Sequence, residues 1–215
     1  MKVIDIRKII PKHKTRIAKD RSSNPTHIVV HCTDSENQDP VKTAKFHITP
    51  SKDNNVSQLG SPTIAYSDFI TKDGIVYHCV DYSKITFHAQ LYNARSIGVV
   101  LAYKASKPIG PIQYDTLIQH LTVLSLYLKI KPQNIIGHRE VPGMYTLLGN
   151  GSKRLRKECP GHLIDLDDMR CKVIINIQKR LTKEGLYGDI IDGIFGKHTN
   201  AAFMQFNPLR NKNNV

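Results

Sequence analysis

The chain has 215 residues, of which 40% are hydrophobic; this suits one packed domain with a small appendage and argues against global disorder. No stretch approaches the roughly 20 apolar residues that a membrane helix needs, so we expect no membrane insertion. The formal net charge of +13 favours contact with polyanions: nucleic acid, anionic lipid, or a phosphate- and carboxylate-bearing cell wall. Nucleic-acid modules usually add interleaved aromatic residues or a recognition helix. Neither is found here, so no nucleic-acid partner is expected.

The N-terminal sequence MKVIDIRKIIPKHK has neither a long apolar region nor a small-residue cleavage site. We therefore expect synthesis in the cytoplasm without a signal peptide. The first 25 residues are basic and only weakly periodic, which predicts an N-terminal arm over 1–25 that leads into the first strand.

The central part of the chain begins with a predicted strand over 26–32, where both alternating sets of side chains are largely apolar. A strand buried on both faces belongs inside a sheet that helices cover. Residues 40–48 predict a short helix and 49–62 a polar loop. Two apolar runs around Lys72-Asp73-Gly74 predict a β-hairpin, because Asp-Gly between strand-like segments is a turn signal.

A further strand is predicted over 96–103, where β-branched residues are frequent. Leucines at helical spacing over 113–129 predict a helix with one face on the sheet, which Pro132 ends. The pair Ile135-Ile136 then leads to His138 as a short strand or turn.

The character of the sequence changes near residue 165. An apolar stripe over 173–181 predicts a helix, 184–196 is a glycine-rich connection, and 198–206 predicts a second short helix. The pattern as a whole predicts an α/β domain over 26–168, followed by a small C-terminal helical module over 169–210.

Three residues at the ends of apolar runs or in a turn are candidate metal ligands: His31, His138 and Cys159. Two imidazoles and one thiolate are a favoured donor set for zinc, and three protein ligands leave a fourth position for water. Such an open site is typical of a hydrolase, since zinc lowers the pKa of a bound water and polarises a carbonyl. The donor set therefore leads to the hypothesis of a zinc-dependent amide hydrolase.

Five motifs occur in order between residues 26 and 168: IVVHCTDS, AYSDFITKDGIVY, FHA with NARSIGVVL, NIIGHREV, and KECPG. With them the chain resembles the zinc N-acetylmuramoyl-L-alanine amidases, a type shared by phage lysozyme-like amidases and peptidoglycan recognition proteins. The resemblance implies a central mixed β-sheet flanked by helices. It also implies that His31, His138 and Cys159 bind Zn²⁺.

The same resemblance implies roles for four more residues. Tyr66 and Lys157 match positions that serve catalysis, where a phenol and an ammonium group stabilise the oxyanion formed when an amide is attacked. His88 and His47 match positions that line the cleft and contact substrate. Two departures stand out: Ser67 where many relatives have His after the Tyr, and a long segment over 143–156 that is expected to form an inserted loop over the cleft.

The C-terminal part resembles a small helical peptidoglycan-binding module through INIQKRL, GLYGDIIDGIFGKHT and AAFMQFN. Phage endolysins often combine such a module with this amidase. The resemblance thus implies hydrolysis of the amide between N-acetylmuramic acid and L-alanine in bacterial peptidoglycan, by an endolysin that acts on the host wall after release from the cytoplasm. As an alternative, the two helices cap the catalytic core.

Two other functions are open at this point. One is a zinc peptidase that cuts within the stem peptide, which the SIGVVL and GHREV motifs disfavour. The other is a non-catalytic peptidoglycan recognition protein. Relatives that only bind typically lack the Cys ligand, so Cys159 favours catalysis. The expected partner is peptidoglycan, through both its glycan and its stem peptide, and a monomer is favoured.

Overall fold

The computed structural model describes residues 1–143, 145–147, 153–155 and 158–207. The main sheet contains β1 (Lys2–Asp5), β2 (His27–Cys32), β3 (Asp68–Ile70), β4 (Ile75–His78), β5 (Ser96–Leu101) and β6 (Ile135–Gly137). The helices are α1 (Pro40–Ile48), α2 (Pro111–Leu128), α3 (Leu166–Lys183) and α4 (Lys197–Gln205). A separate hairpin pairs β7 (Tyr145–Leu147) with β8 (Lys153–Leu155), within the segment expected to be an inserted loop.

The main sheet has the strand order β1-β4-β3-β5-β2-β6. Only β3 and β4 pair antiparallel, and the other neighbours are parallel, so the sheet is mixed, as predicted. The turn between β3 and β4 contains Gly74 at φ +77°, a left-handed conformation that favours glycine. The predicted hairpin is therefore confirmed, and β2 lies inside the sheet between β5 and β6.

The N-terminal segment differs from the prediction of an arm over 1–25. Residues Lys2–Asp5 form the edge strand β1, which runs parallel to β4. Their side chains are mostly exposed, so four residues at an edge carry no periodic signal that sequence alone can detect. Directly after the strand, Ile6 and Ile10 are buried in the apolar cluster that includes Phe69 and Val100, so this part of the chain packs on the domain.

Both faces of the sheet are covered. On one face, α2 and α3 pack against strand residues in a cluster that includes Ile28, Val30, Leu117, Leu121 and Val173. On the other face a second cluster lies against α1, with Ala44, Ile64, Phe69 and Val100 among its members. This two-sided burial explains why β2 and β5 are nearly continuous apolar sequences.

Helix α3 crosses the predicted domain boundary. It begins after Asp165, whose carboxylate accepts hydrogen bonds from the amides of Asp167 and Asp168, and it continues to Lys183. The boundary expected between residues 168 and 169 thus lies inside one continuous helix. Its buried residues belong to the same apolar cluster as the sheet.

Within the described part of the chain, none of the helices combines the length and apolar character required to cross a lipid bilayer.

Candidate metal centre and catalytic cleft

His31 lies near the carboxyl end of β2 and is almost fully buried. The strand is held on both sides by parallel neighbours, opposite Val100 of β5 on one side. This places the imidazole at the edge where parallel strands end, which is the usual place for sites in open α/β sheets. Burial, followed by the neighbouring His138 and His88, lowers the pKa of His31 well below its usual value, so the ring is neutral and keeps a lone pair.

His138 directly follows β6, in a short 3₁₀ turn that ends at Glu140. The Glu140 carboxylate accepts the Gly137 amide at 3.0 Å and pairs with Arg170 of α3 at 3.0 Å, which fixes the turn. A Cβ on Gly137 would lie 2.7 Å from Leu166 Cδ1 and 2.9 Å from Pro160 Cδ, so a larger residue at this strand end would require these side chains to shift. The His31 and His138 rings are 4.5 Å apart between centroids.

Cys159 completes the donor set. Its carbonyl accepts the Arg139 amide at 2.8 Å, and its Sγ accepts the Cys32 amide at 3.3 Å. The Sγ lies 3.7 Å from His31 Nδ1. An amide donated to sulfur stabilises the thiolate form that binds metal.

The three donor atoms fit a tetrahedral metal site. The ligand atoms of His31, His138 and Cys159 all lie within 4.8 Å of one another. Zinc bond lengths of about 2.0–2.3 Å place tetrahedral ligands about 3.5 Å apart, close to the observed sulfur–nitrogen distance. The structure therefore brings together the three ligands that the sequence predicts, and their chemistry suits a zinc ion.

A cavity of about 550 Å³ opens beside these donors. A larger cavity of about 660 Å³ lies elsewhere, among residues such as Arg7, Arg21 and Tyr82. Chemistry rather than volume distinguishes the two, because only the smaller cavity contains the metal-binding cluster found among the described residues. Its lining also includes Cys32, Thr33, Asp34, Asn55, Val56, Tyr66, Phe87, His88, Gln90, Asn93 and Ala105.

Tyr66 lies in this cavity, with its ring 5.1 Å from that of His31. Burial, and after it the nearby Cys159 and Cys32, raises the pKa of the phenol above its usual value. The hydroxyl therefore keeps its hydrogen at neutral pH and is able to donate it to a developing oxyanion. The other residue expected to serve catalysis, Lys157, lies outside the described residues.

The two histidines expected to contact substrate differ in position. His88 lines the cavity but is buried, and its Nδ1 lies 3.0 Å from His31 Nε2. His47 of α1 is buried beside Tyr66, where its Nδ1 accepts the Ala65 amide at 3.1 Å. Burial lowers the pKa of His47 to about 4 and that of His88 to about 3. His47 is not among the residues lining the cavity, so its substrate contact stays a prediction.

Sequence reasoning missed three features around the site. Cys32, the last residue of β2, is half-buried and lines the cavity. Ser96, at the start of β5, hydrogen-bonds His88, which lies eight residues earlier in the chain, and no helix or strand periodicity indicates this contact. Asp68, next to Ser67 where relatives carry His, is buried and accepts hydrogen bonds from His78, His120 and Tyr82. The sequence did carry one sign of this last cluster, because Asp68 is a charged residue within the apolar strand sequence AYSDFI.

A cleft with three candidate metal ligands at the carboxyl edge of a mixed, helix-covered sheet thus defines the class of site. The chain belongs to the N-acetylmuramoyl-L-alanine amidase family, whose model matches residues 21–162, well over half of the chain. The predicted family is thereby confirmed, while the metal and the role of residues 169–210 stay predictions. No curated protein sequence matches the chain.

Solved structures share the fold. The endolysin N-acetylmuramoyl-L-alanine amidase LysCS from Clostridium intestinale is 23% identical, with a TM-score of 0.61 over 80% of this chain and 95% of that one. The endolysin of Thermus scotoductus bacteriophage Ph2119 is 18% identical, with a TM-score of 0.58 over 80% and 99% of the two chains. Drosophila PGRP-LB is 18% identical, with a TM-score of 0.53 over 74% and 88%. At these identities the similarity establishes the architecture.

Proposed function

We propose that this protein is a zinc-dependent amidase that hydrolyses the bond between N-acetylmuramic acid and L-alanine in peptidoglycan. The observation that carries the proposal is the convergence of His31, His138 and Cys159 within 4.8 Å, beside Tyr66, in a chain of this amidase family. The endolysin structures that share its fold support action on a bacterial wall.

Different residues would bind the metal and stabilise the charge that develops during hydrolysis. Bound zinc supplies a Lewis acid and an activated water at neutral pH. The imidazoles of His31 and His138 and the thiolate of Cys159 would hold the ion through three ligands, which would leave a fourth position for water. Tyr66 provides a neutral phenol that hydrogen-bonds the oxygen on which negative charge develops. By family resemblance, Lys157 would add a positive charge near the same oxygen.

Two alternative functions use the same cleft. A zinc peptidase would cut within the stem peptide, and a recognition protein would bind muropeptide without cleaving it. The half-buried Cys159, with its sulfur 3.7 Å from His31 Nδ1, favours a catalytic metal over simple binding. Membership of the amidase family favours the lactyl amide over stem-peptide bonds.

The deciding experiment is mass spectrometry of digested peptidoglycan. We expect glycan with free N-acetylmuramoyl groups and intact stem peptides with a new L-alanine amino terminus. A chelator should abolish these products, and added zinc should restore them. Cuts within the stem peptide would instead establish a peptidase, and muropeptide binding without any product would establish a recognition protein.

We also propose that the C-terminal segment attaches the enzyme to the wall. The glycine-rich connection after α3 presents exposed isoleucines, with Ile190 77% and Ile194 65% exposed. Ile191 between them is 40% exposed, so three isoleucines are exposed within five residues, and exposed apolar residues that are grouped in this way are typical of interaction surfaces. Ile190→Ser with Ile194→Ser should reduce pelleting with insoluble peptidoglycan but spare cleavage of a soluble muropeptide, while Ile112→Ser on α2 serves as the control. Unchanged pelleting of the double variant would reject this surface.

A further inference from the structure

His88 is linked by hydrogen bonds to a metal ligand on one side and to β5 on the other. Its Nδ1 lies 3.0 Å from His31 Nε2. Its Nε2 lies 3.3 Å from the Ser96 carbonyl oxygen and 3.2 Å from the Ser96 Oγ. All three side chains are buried. A continuous chain of contacts therefore runs from β5 through His88 to the ligand at the end of β2.

The hydrogen atoms in this chain have one consistent arrangement. The Ser96 hydroxyl donates to the Tyr92 carbonyl at 2.6 Å, so its hydrogen is already used. His88 Nε2 must therefore carry the hydrogen that points toward Ser96, which leaves a lone pair on His88 Nδ1. That lone pair accepts from His31 Nε2–H. His31 then presents its Nδ1 lone pair toward Cys159 Sγ, which is the side where the metal would bind.

Gly98 of β5 makes room for this arrangement. A Cβ at this position would lie 2.8 Å from His88 Cγ and 3.0 Å from its Nδ1. Any side chain at 98 would push the imidazole away from its place against the strand. The glycine in the SIGVVL motif is therefore explained by the space that His88 occupies, since the position has no unusual backbone conformation in need of glycine.

We propose that His88 is a positioning residue that fixes the orientation and tautomer of His31 for metal binding, with Ser96 and Gly98 holding His88 in place. This role differs from the substrate contact expected from family resemblance. The inference rests on the proposed zinc site. Partners of this kind, which hydrogen-bond the second nitrogen of a ligand histidine, typically change metal affinity about 10–100-fold when removed.

Two substitutions at His88 distinguish the effect of its hydrogen bond to His31 from the effect of its side-chain volume. His88→Leu removes both nitrogens and should weaken zinc binding by about 10–100-fold, measured by competition with a chromophoric chelator. His88→Asn places an amide oxygen near the position of Nδ1, able to accept from His31 Nε2–H, and should restore most of the affinity. Gly98→Ala, which displaces the ring, should weaken zinc binding in the same direction. His27→Leu is the matched control, because His27 lies at the start of β2, the strand that also contains His31.

The His31 tautomer in the metal-free protein provides a second readout, obtained from long-range proton–nitrogen NMR correlations. We expect a single tautomer with hydrogen on Nε2 in the wild type and in His88→Asn, and exchange between two tautomers in His88→Leu. Thermal unfolding establishes that each variant is folded. If His88→Leu does not fold, the Gly98→Ala and His88→Asn proteins carry the comparison.

Two results would overturn the role of His88. One is wild-type zinc affinity together with a single His31 tautomer in His88→Leu. The other is a raised KM with unchanged kcat and zinc affinity, which would make His88 a substrate contact. A wild-type protein that binds no zinc would overturn the proposed function instead, and the tautomer measurement on the metal-free protein would still decide the role of His88.

Discussion

At the scale of single residues, the candidate metal site depends on the sulfur of Cys159. Cys159 accepts the Cys32 amide and faces His31, so its side chain is oriented from both sides. The three candidate ligands were predicted from the sequence because zinc chemistry restricts the choice of donors, and the structure brings these three side chains together. The contact that orients His31 was not predictable, because His88 lies 57 positions away in the sequence and reaches His31 only in the folded chain.

Cys159→Ser should therefore lose zinc. A neutral hydroxyl replaces a thiolate. Loss of a residue that only hydrogen-bonds a metal ligand lowers metal affinity by roughly 10–100-fold, and we expect loss of the ligand itself to lower zinc affinity by at least as much. Metal content by elemental analysis after gel filtration measures the effect. Cys171→Ser, on α3, is the control. Full zinc occupancy in Cys159→Ser would show that another group binds the metal.

Tyr66→Phe should keep zinc and fold but lower turnover by about 10²–10³-fold, as typical for loss of one donor to an oxyanion. The phenol holds its hydrogen because burial raises its pKa, so it acts as a donor through the neutral range. Steady-state kinetics on a soluble muropeptide test this, with Tyr77→Phe on β4 as the control. Lys157→Ala is expected to behave in the same way, and unchanged turnover in either variant would remove that residue from the catalytic set.

Asp68→Asn tests the buried carboxylate between β3, β4 and α2. Burial alone would raise the pKa of Asp68, but the charges and hydrogen bonds of His120 and His78 outweigh it and lower the pKa. A lowered folded-state pKa means stability that is present above about pH 4 and is lost as pH falls through that lowered value. Removing the charge should cost about 3 kcal/mol in the free energy of unfolding at pH 7.

Urea unfolding at pH 7 and at successively lower pH measures this loss. The difference in stability between wild type and Asp68→Asn should narrow as pH falls below about 4, because Asp68 of the unfolded wild-type chain then binds a proton more readily than the folded carboxylate does. Asp73→Asn, in the exposed hairpin turn, is the control. A gap that stays constant with pH would show that the cost comes from packing rather than charge.

At the scale of elements, long periodic segments were predictable and short edge segments were not. The apolar stripe of α2 and the two-sided burial of β2 are visible in sequence, since many residues repeat the signal. β1 has four mostly exposed residues and acquires its identity only from pairing with β4. The boundary near residue 168 was inferred from a change of motif; the sequence has no long flexible linker there, which left open the single continuous helix that the structure shows.

This continuity predicts the result of truncation. A chain that ends at Arg170 loses Val173, Ile177 and Leu181, which are fully buried in the same cluster as the sheet. Each such loss costs about 2–5 kcal/mol, and a domain has only about 5–15 kcal/mol in total. We expect the shortened chain not to fold cooperatively, as judged by thermal unfolding. A folded, active chain ending at Arg170 would instead support a separable C-terminal module.

At the scale of the whole molecule, positive charge is concentrated in the N-terminal segment of the sequence. The first 21 residues contain eight Lys or Arg and two Asp. Among the described ion pairs, Arg7 binds Asp5 and Asp81, whereas none involves Lys8, Lys12 or Lys14. Unpaired surface lysines attract polyanions at a distance set by ionic strength.

Replacing Lys8, Lys12 and Lys14 with Gln should weaken pelleting with insoluble wall at low salt, and the difference should fade near 1 M salt, where the screening length is about 3 Å. Cleavage of a soluble muropeptide should not change.

The control for this triple substitution replaces Lys52, Lys131 and Lys179, which removes the same charge from scattered positions. Equal weakening in the two triple variants would assign the effect to net charge rather than to the N-terminal segment.

The strand order has a consequence for how the site comes into being. β2 pairs with β5 and β6, and Cys159 lies 128 positions from His31. Contacts between such distant segments close large loops. Chain entropy is lost when the loop closes, before the new contacts stabilise the structure, and this slows folding. During synthesis His31 is made early, and the candidate metal site is complete only after β6, His138 and the turn that contains Cys159 have been made and have packed against β2. Acquisition of the metal is therefore expected to be a late event in folding, so that metal binding reports a completed sheet.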